Sequence, residues 1–125
     1  MEIKITKDAY LTVHNVTGLV SEEEMYDALE MFYKEDPTPL LLWDMSQSDV
    51  SNVTTDILQN FARKSAKLGA SRQGGRTAVI APEDLQYGLA RISEAFLEME
   101  SSPHSFSVFR TREKALQWLM ADENS

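Results

Sequence analysis

Residues 39–45, PLLLWDM, form a short, almost unbroken apolar run with DPTP before it and a polar stretch after it. A run of this length flanked by breakers marks a strand that is covered on both faces or central in a sheet. Amphipathic helical patterns lie on either side of it in the chain. Strands separated by helices call for parallel pairing through crossover connections, so the arrangement of the whole chain follows from this alternation.

Upstream, EIKIT and YLTVHNV alternate apolar and polar residues around KDA and read as an antiparallel hairpin. After Gly18 comes SEEE, a capping-box pattern. Met25, Ala28, Leu29 and Phe32 then recur at helical spacing, which predicts a helix over 21–35. Ile57, Leu58, Phe61, Ala62, Ser65 and Leu68 mark a second helix, with Gly69 at its C-terminal cap. GRTAVIAP reads as the next strand, and Pro82 with Glu83 and Asp84 suits a helix start. Leu85, Leu89, Ile92, Phe96 and Met99 form the stripe of that third helix. SFSVF reads as the last strand and TREKALQWLM as a closing helix capped by Thr111. The expected fold is α/β (α+β), one mixed sheet of about five strands with an N-terminal antiparallel hairpin and about four helices, filling residues 1–125 as a single domain.

Composition narrows the function classes. The absence of cysteine removes disulfide scaffolds, thiol catalysis and cysteine-based zinc sites. MEIKITKDAY lacks the basic and apolar regions of a secretory signal, and no apolar run approaches bilayer length, so a cytoplasmic chain without membrane insertion is expected. The NVT sequons at 15–17 and 52–54 then carry no weight. A net charge of -8 disfavours nucleic-acid partners. The stretch ARKSAKLGASRQGGR holds Arg63, Lys64, Lys67, Arg72 and Arg76 and no acid, and reads as a solvated helix end followed by a loop.

Sites for chemistry are sparse. GASRQGGRT resembles a phosphate loop only superficially, because helix precedes it and strand follows, the reverse of the geometry that aims a helix N-terminus at phosphate. It reads as a flexible connection. His14 and His104, both on predicted strands, have no third ligand nearby in sequence. No catalytic residues, metal or cofactor are expected. Gly88 inside LQYGLARI lowers helix stability by about 1 kcal/mol relative to alanine, which points to a close backbone approach. Trp43, Tyr87, Gly88 and Phe96 are candidates for an apolar ligand pocket, although aromatic residues at helical spacing read first as core.

The polar stretch WDMSQSDVSNVTTDIL is the best candidate surface. Asp44 is placed near the C-terminal end of the central strand, the edge at which open α/β sheets meet ligands and partners. Asp44, Ser46, Ser48, Ser51, Thr54 and Thr55 are therefore the candidate regulatory or partner-binding residues, although Asn52 and Thr54 also suit turn and cap roles. Tyr26, Tyr33 and Trp118 are apolar residues in excess of what one small core accommodates, and they suggest a homodimer.

The order of elements, together with LLLWDMS, RTAVIAP, LQYGLARISEAF and the ending FSVFRTREKALQWL, resembles the SpoIIAA-like group. That group is related to STAS domains, which include bacterial anti-sigma-factor antagonists. The resemblance implies a non-enzymatic regulatory domain that binds a protein partner or, in some relatives, a nucleotide or lipid-like molecule. It also implies a phosphorylated Ser or Thr, in an Asp-Ser-Ser-Gly type segment, at the start of the helix after the central strand. Here that segment reads SNVTTD, so Ser51, Thr54 and Thr55 are the stand-ins, the glycine is missing and Asp56 follows. The alternative that the resemblance implies is a carrier or sensor of a small apolar or lipid-like ligand, held in a cavity between helices and sheet.

Overall fold

In the computed structural model, which describes residues 1–121, the chain runs β1 (Glu2–Lys7), β2 (Leu11–Leu19), α1 (Glu22–Lys34), β3 (Leu40–Asp49), α2 (Thr55–Leu68), β4 (Arg76–Ile80), α3 (Asp84–Met99), β5 (Ser105–Phe109) and α4 (Arg112–Leu119). The five strands form one sheet in sequence order, with β1 antiparallel to β2 and every other pair parallel. This is the mixed sheet with an opening hairpin that the alternation of patterns predicts.

β3 explains why its first half is continuously apolar. Leu41 and Trp43 face one side of the sheet, where they pack with Leu29 and Phe32 of α1, Phe61 of α2 and Ala90 of α3. Leu42 faces the other side, where it packs with Ala115 and Leu119 of α4. Neighbouring residues of one strand thus serve two cores, and burying each large side chain contributes roughly 2 kcal/mol. Ser21 caps α1 through the Glu24 amide at 3.3 Å, and Thr111 caps α4 through the Lys114 amide at 3.3 Å. α3 begins later than Pro82 suggests, with Glu83 as its cap residue.

The lower ends of β3 and β4 are joined by an arginine. Gly69 caps α2, and the following residues are not a flexible connection but a 3₁₀ turn, Gly69–Arg72, that carries Arg72 into the interior at 4% exposure. All five guanidinium N–H groups have acceptors. Nε donates to Thr38 O at 3.0 Å, Nη2 to Pro39 O at 3.0 Å and Arg76 O at 2.9 Å, and Nη1 to the Tyr33 and Thr77 hydroxyls, each at 3.1 Å. The group also lies over the Phe32 ring, 5.1 Å from its centroid. No carboxylate is among these partners, so the charge is stabilised by oriented dipoles and π density. Gly75 is required beside it, because a Cβ there would stand 2.9 Å from Pro39 O and 3.0 Å from Arg72 O.

The reading of this segment as a solvated helix end and loop therefore holds only in part, with Lys67 exposed but its neighbours engaged. Arg72 is buried, Arg63 pairs with Glu100 at 3.4 Å, and Lys64 pairs with Glu30. Arg76 donates to Trp118 O at 3.0 Å and Ala121 O at 2.6 Å, closing the C-terminal end of α4. The surplus aromatics are also accounted for, since Tyr26, Tyr33 and Trp118 are only partly exposed. Tyr26 stacks on Phe61, Tyr33 packs edge-on to Phe32, and Trp118 lies against Phe109. Gly88 is a further correction: a Cβ there would meet nothing within 4 Å, so no close approach explains its helix penalty.

Arg72→Lys is expected to destabilise the fold by about 3 kcal/mol or more in urea denaturation. An ammonium has only three donors and cannot reproduce the planar fork, which leaves buried acceptors unpaired. A loss below about 1 kcal/mol would show that the five bonds are dispensable.

Candidate functional site

The polar stretch after PLLLWDM is strand before it is loop. β4 pairs with β3 only as far as Asp44↔Ile80, whereas β3 continues alongside β2 through Thr17↔Gln47, Gly18↔Ser48 and Leu19↔Asp49. Between those registers Val16 on β2 faces both Met45 and Ser46, a bulge that re-aims the side chains beyond it. Asp44 is thus not at the strand's end. It marks the point where β3 outruns its neighbour.

The edge left unpaired by β4 is taken by a side chain. Gln86, 3% exposed in the first turn of α3, donates through Nε2 to Met45 O at 3.0 Å and Ser48 O at 3.1 Å, while its Oε1 accepts from the Glu83 amide at 3.2 Å. The Ser48 hydroxyl adds a bond to Met45 O at 2.6 Å. A buried amide with three partners fixes the overrun to α3 as a ladder would. The E-x-x-Q spacing of Glu83 and Gln86 is a capping pattern visible in the sequence, but its second role as the clamp on β3 is not.

The six candidate residues separate into two groups. Asp44 and Ser46 belong to the α4 side: Asp44 Oδ1 accepts from the Ser46 amide at 3.0 Å and hydroxyl at 2.6 Å, and Oδ2 meets Arg112 Nη1 at 3.2 Å. Ser48 is buried. Only Ser51, Thr54 and Thr55 are exposed together, at the tip between β3 and α2. Even there Thr54 is engaged, since its hydroxyl caps α2 through the Ile57 amide at 3.3 Å. The tip is held from below as well. Asn52 Nδ2 donates to Val20 O at 2.7 Å, the Val20 amide to Asp49 O at 2.9 Å, and the Ser51 amide to Asp49 Oδ1 at 3.0 Å. The Ser51 hydroxyl and amide hold the Asp49 carboxyl below its usual range. An exposed hydroxyl pair thus sits on an ordered base, at a helix N-terminus with the acids Asp49 and Asp56 close in sequence.

The proposed apolar pocket is also redistributed. A cavity of about 110 Å³ lies between the sheet and α1–α3, and Trp43 lines it. Tyr87, Gly88 and Phe96 do not: Gly88 is exposed, and the Tyr87 ring lies beneath the Arg110 guanidinium, 4.2 Å away. The cavity is smaller than the engineered voids of about 150 Å³ that hold benzene, so a lipid-like chain has no matching space in it.

No protein-family model matches the sequence, and no curated protein does. Solved structures do match in shape. The anti-sigma factor antagonist SpoIIAA in its unphosphorylated form superposes with a TM-score of 0.58 at 10% identity, covering 97% of this chain and 100% of that one. This chain has the SpoIIAA fold. An anti-sigma factor antagonist from Mycobacterium paratuberculosis gives a TM-score of 0.57 at 17% identity, over 96% of this chain and 94% of that one. The Bacillus cell fate determinant SpoIIAA in its phosphorylated form gives 0.53 at 12% identity, over 94% and 98%. In the present version of the SpoIIAA fold no helix of the described residues is long and apolar enough to cross a membrane.

Both histidines are buried. His14 on β2 is 1% exposed, edge-on to Trp43 with ring centroids 4.2 Å apart. His104, which precedes β5 rather than lying in it, is 5% exposed and bonded through Nδ1 to Ser102 Oγ at 3.0 Å. Burial pushes both down to about 4, and the charge of Arg72 adds to the effect at His104. The unfolded chain, with histidines near 6.5, then binds more protons than the folded one between these values. Stability is therefore expected to be complete above about pH 6.5 and to fall as pH drops toward about 4. Urea titrations across that window should show a shallower slope for the double variant His14→Gln, His104→Asn. An unchanged slope would place the proton uptake elsewhere.

Proposed function

We propose that this chain is a non-enzymatic regulatory module that docks a protein partner on the tip formed by Ser51, Thr54, Thr55 and the first turn of α2. The observation that carries the reading is the tip's combination of exposure and fixed geometry: hydroxyls open to solvent on a base tied to β2 and α3. A rigid surface binds with little ordering cost. The reading is supported by the fold, which anti-sigma factor antagonists share and in which SpoIIAA exists in phosphorylated and unphosphorylated forms. In this chain Asp44, Ser46 and Ser48 shape the platform, while Ser51 and Thr55 are the hydroxyls open to a partner or a modifying enzyme.

A phosphate on either hydroxyl would add about -1.5 to -2 charges next to Asp49 and Asp56. That repulsion, with the helix N-terminus acting in the opposite sense, would alter docking without disturbing the core. Thr54 is the poorer switch, because losing its cap costs about 1 kcal/mol of helix stability.

Immobilised wild-type protein, Ser51→Glu, Thr55→Glu and the distant control Glu98→Lys, each exposed to extract of the native host, test the reading by quantitative mass spectrometry. A polypeptide retained by wild type and control and depleted about tenfold or more by both Glu variants is expected, as for charge placed in a docking surface. Equal recovery on all four would overturn it.

A further inference from the structure

The outer face of α3 carries an apolar seam that the core does not use. Leu85, Ile92 and Met99 are large apolar side chains left exposed, and they recur at seven-residue intervals, with Met99 at 75% exposure. Gly88 and Ala95, also exposed, fall between them. Leu85, Gly88, Ile92, Ala95 and Met99 thus follow one another in alternating steps of three and four residues, the a and d positions of successive heptads. They lie on the side of the helix opposite buried Gln86 and Leu97, through which α3 meets the rest of the chain. A helix packs lengthwise on another helix through a seam of this kind. Gly88 weakens α3 with no return inside one copy, since a Cβ there would meet nothing within 4 Å.

We propose that α3 pairs antiparallel with α3 of a second copy of this chain, the large side chains of one fitting over the small positions of the other. With the two-fold axis at the level of Ser93 and Glu94, Ile92 faces Ala95 of the second copy and Met99 faces Gly88 of the second copy, each contact occurring twice. The same alignment sets Arg91 across from Glu98 of the second copy, on the flank of the seam. Arg91 is exposed and meets Glu94 of its own helix at 3.2 Å, and its guanidinium has donors left for a second carboxylate. A parallel pairing would set Gly88 against Gly88 and leave Arg91 beside Phe96 without a carboxylate, so size and charge both choose the antiparallel one. One helix per copy, about 24 Å long, makes an interface below about 1,200 Å², so the dimer dissociates on dilution. The axis stands about two turns of α3 beyond Gln86, which keeps the seam distinct from the tip.

Sedimentation velocity of the whole protein from micromolar to submillimolar concentration tests this, and a monomer giving way to a dimer is expected. Gly88→Leu enters open space in one copy, so it should melt cooperatively at a temperature no lower than wild type. It should nevertheless weaken the dimer about tenfold or more, because it occupies the place of Met99 of the second copy. Arg91→Glu and Glu98→Lys, each alone, should weaken it severalfold, since each sets like charges across the seam. Mixed in equal amounts, these two variants should associate more tightly than either does alone, because every facing pair is again opposite in charge. A wild-type protein that stays monomeric throughout, a dimer equally tight in Gly88→Leu, or a mixture no tighter than its components would each overturn the proposal. None of these outcomes depends on whether a partner docks on the tip.

Discussion

β3 is the strand on which the rest of the structure depends, because it is committed to a different neighbour at each level. At its lower end Arg72 ties the residues that lead into it to β4, through the carbonyls of Thr38, Pro39 and Arg76 and the Thr77 hydroxyl. In its middle, consecutive side chains fill cores on opposite faces. At its upper end, past the limit of β4, Gln86 replaces a strand. Two buried polar side chains, Arg72 and Gln86, thus bracket the strand. Both are satisfied completely, which is the condition for a buried polar group to order a fold rather than weaken it.

The order of elements was legible because each rests on local patterns: alternation in EIKIT and YLTVHNV, a 3.6-residue stripe in α2, and side-chain caps at Ser21 and Thr111, whereas in α3 the apolar spacing marked the helix but not its buried face, since Leu85, Ile92 and Met99 are exposed. The upper half of β3 was not. SQSD holds no apolar residue, and the bulge at Met45 and Ser46 breaks the alternation that would announce a strand, so only its pairing with β2 reveals it. Arg72 was misread for a related reason. An arginine among glycines and serines reads as solvated, and the five acceptors that bury it lie on residues up to 39 positions away. Gly88 misled in the opposite direction, since a helix glycine suggests contact where the structure has open space.

The candidate site was legible as a region and illegible as a set. The sequence places hydroxyls and carboxylates after the central strand, and the structure keeps that location. It then divides them by side-chain direction: Asp44 and Ser46 toward α4, Ser48 inward, and Ser51, Thr54 and Thr55 outward. At 10–17% identity to anti-sigma factor antagonists, the shared property is the fold. In this chain the approach to α2 is held by Asn52, Asp49 and Gln86.

Native-state amide hydrogen exchange across 46–49, compared with 41–43, tests this account most directly. If the polar stretch is strand clamped by Gln86, its amides are protected to nearly the same degree as those of the buried half, and Gln86→Ala lowers protection there while leaving 41–43 unchanged. If 46–49 exchange in the wild-type protein at the rate of an open loop, the fixed platform beneath Ser51 and Thr55 does not exist, and the proposed docking surface loses its physical basis.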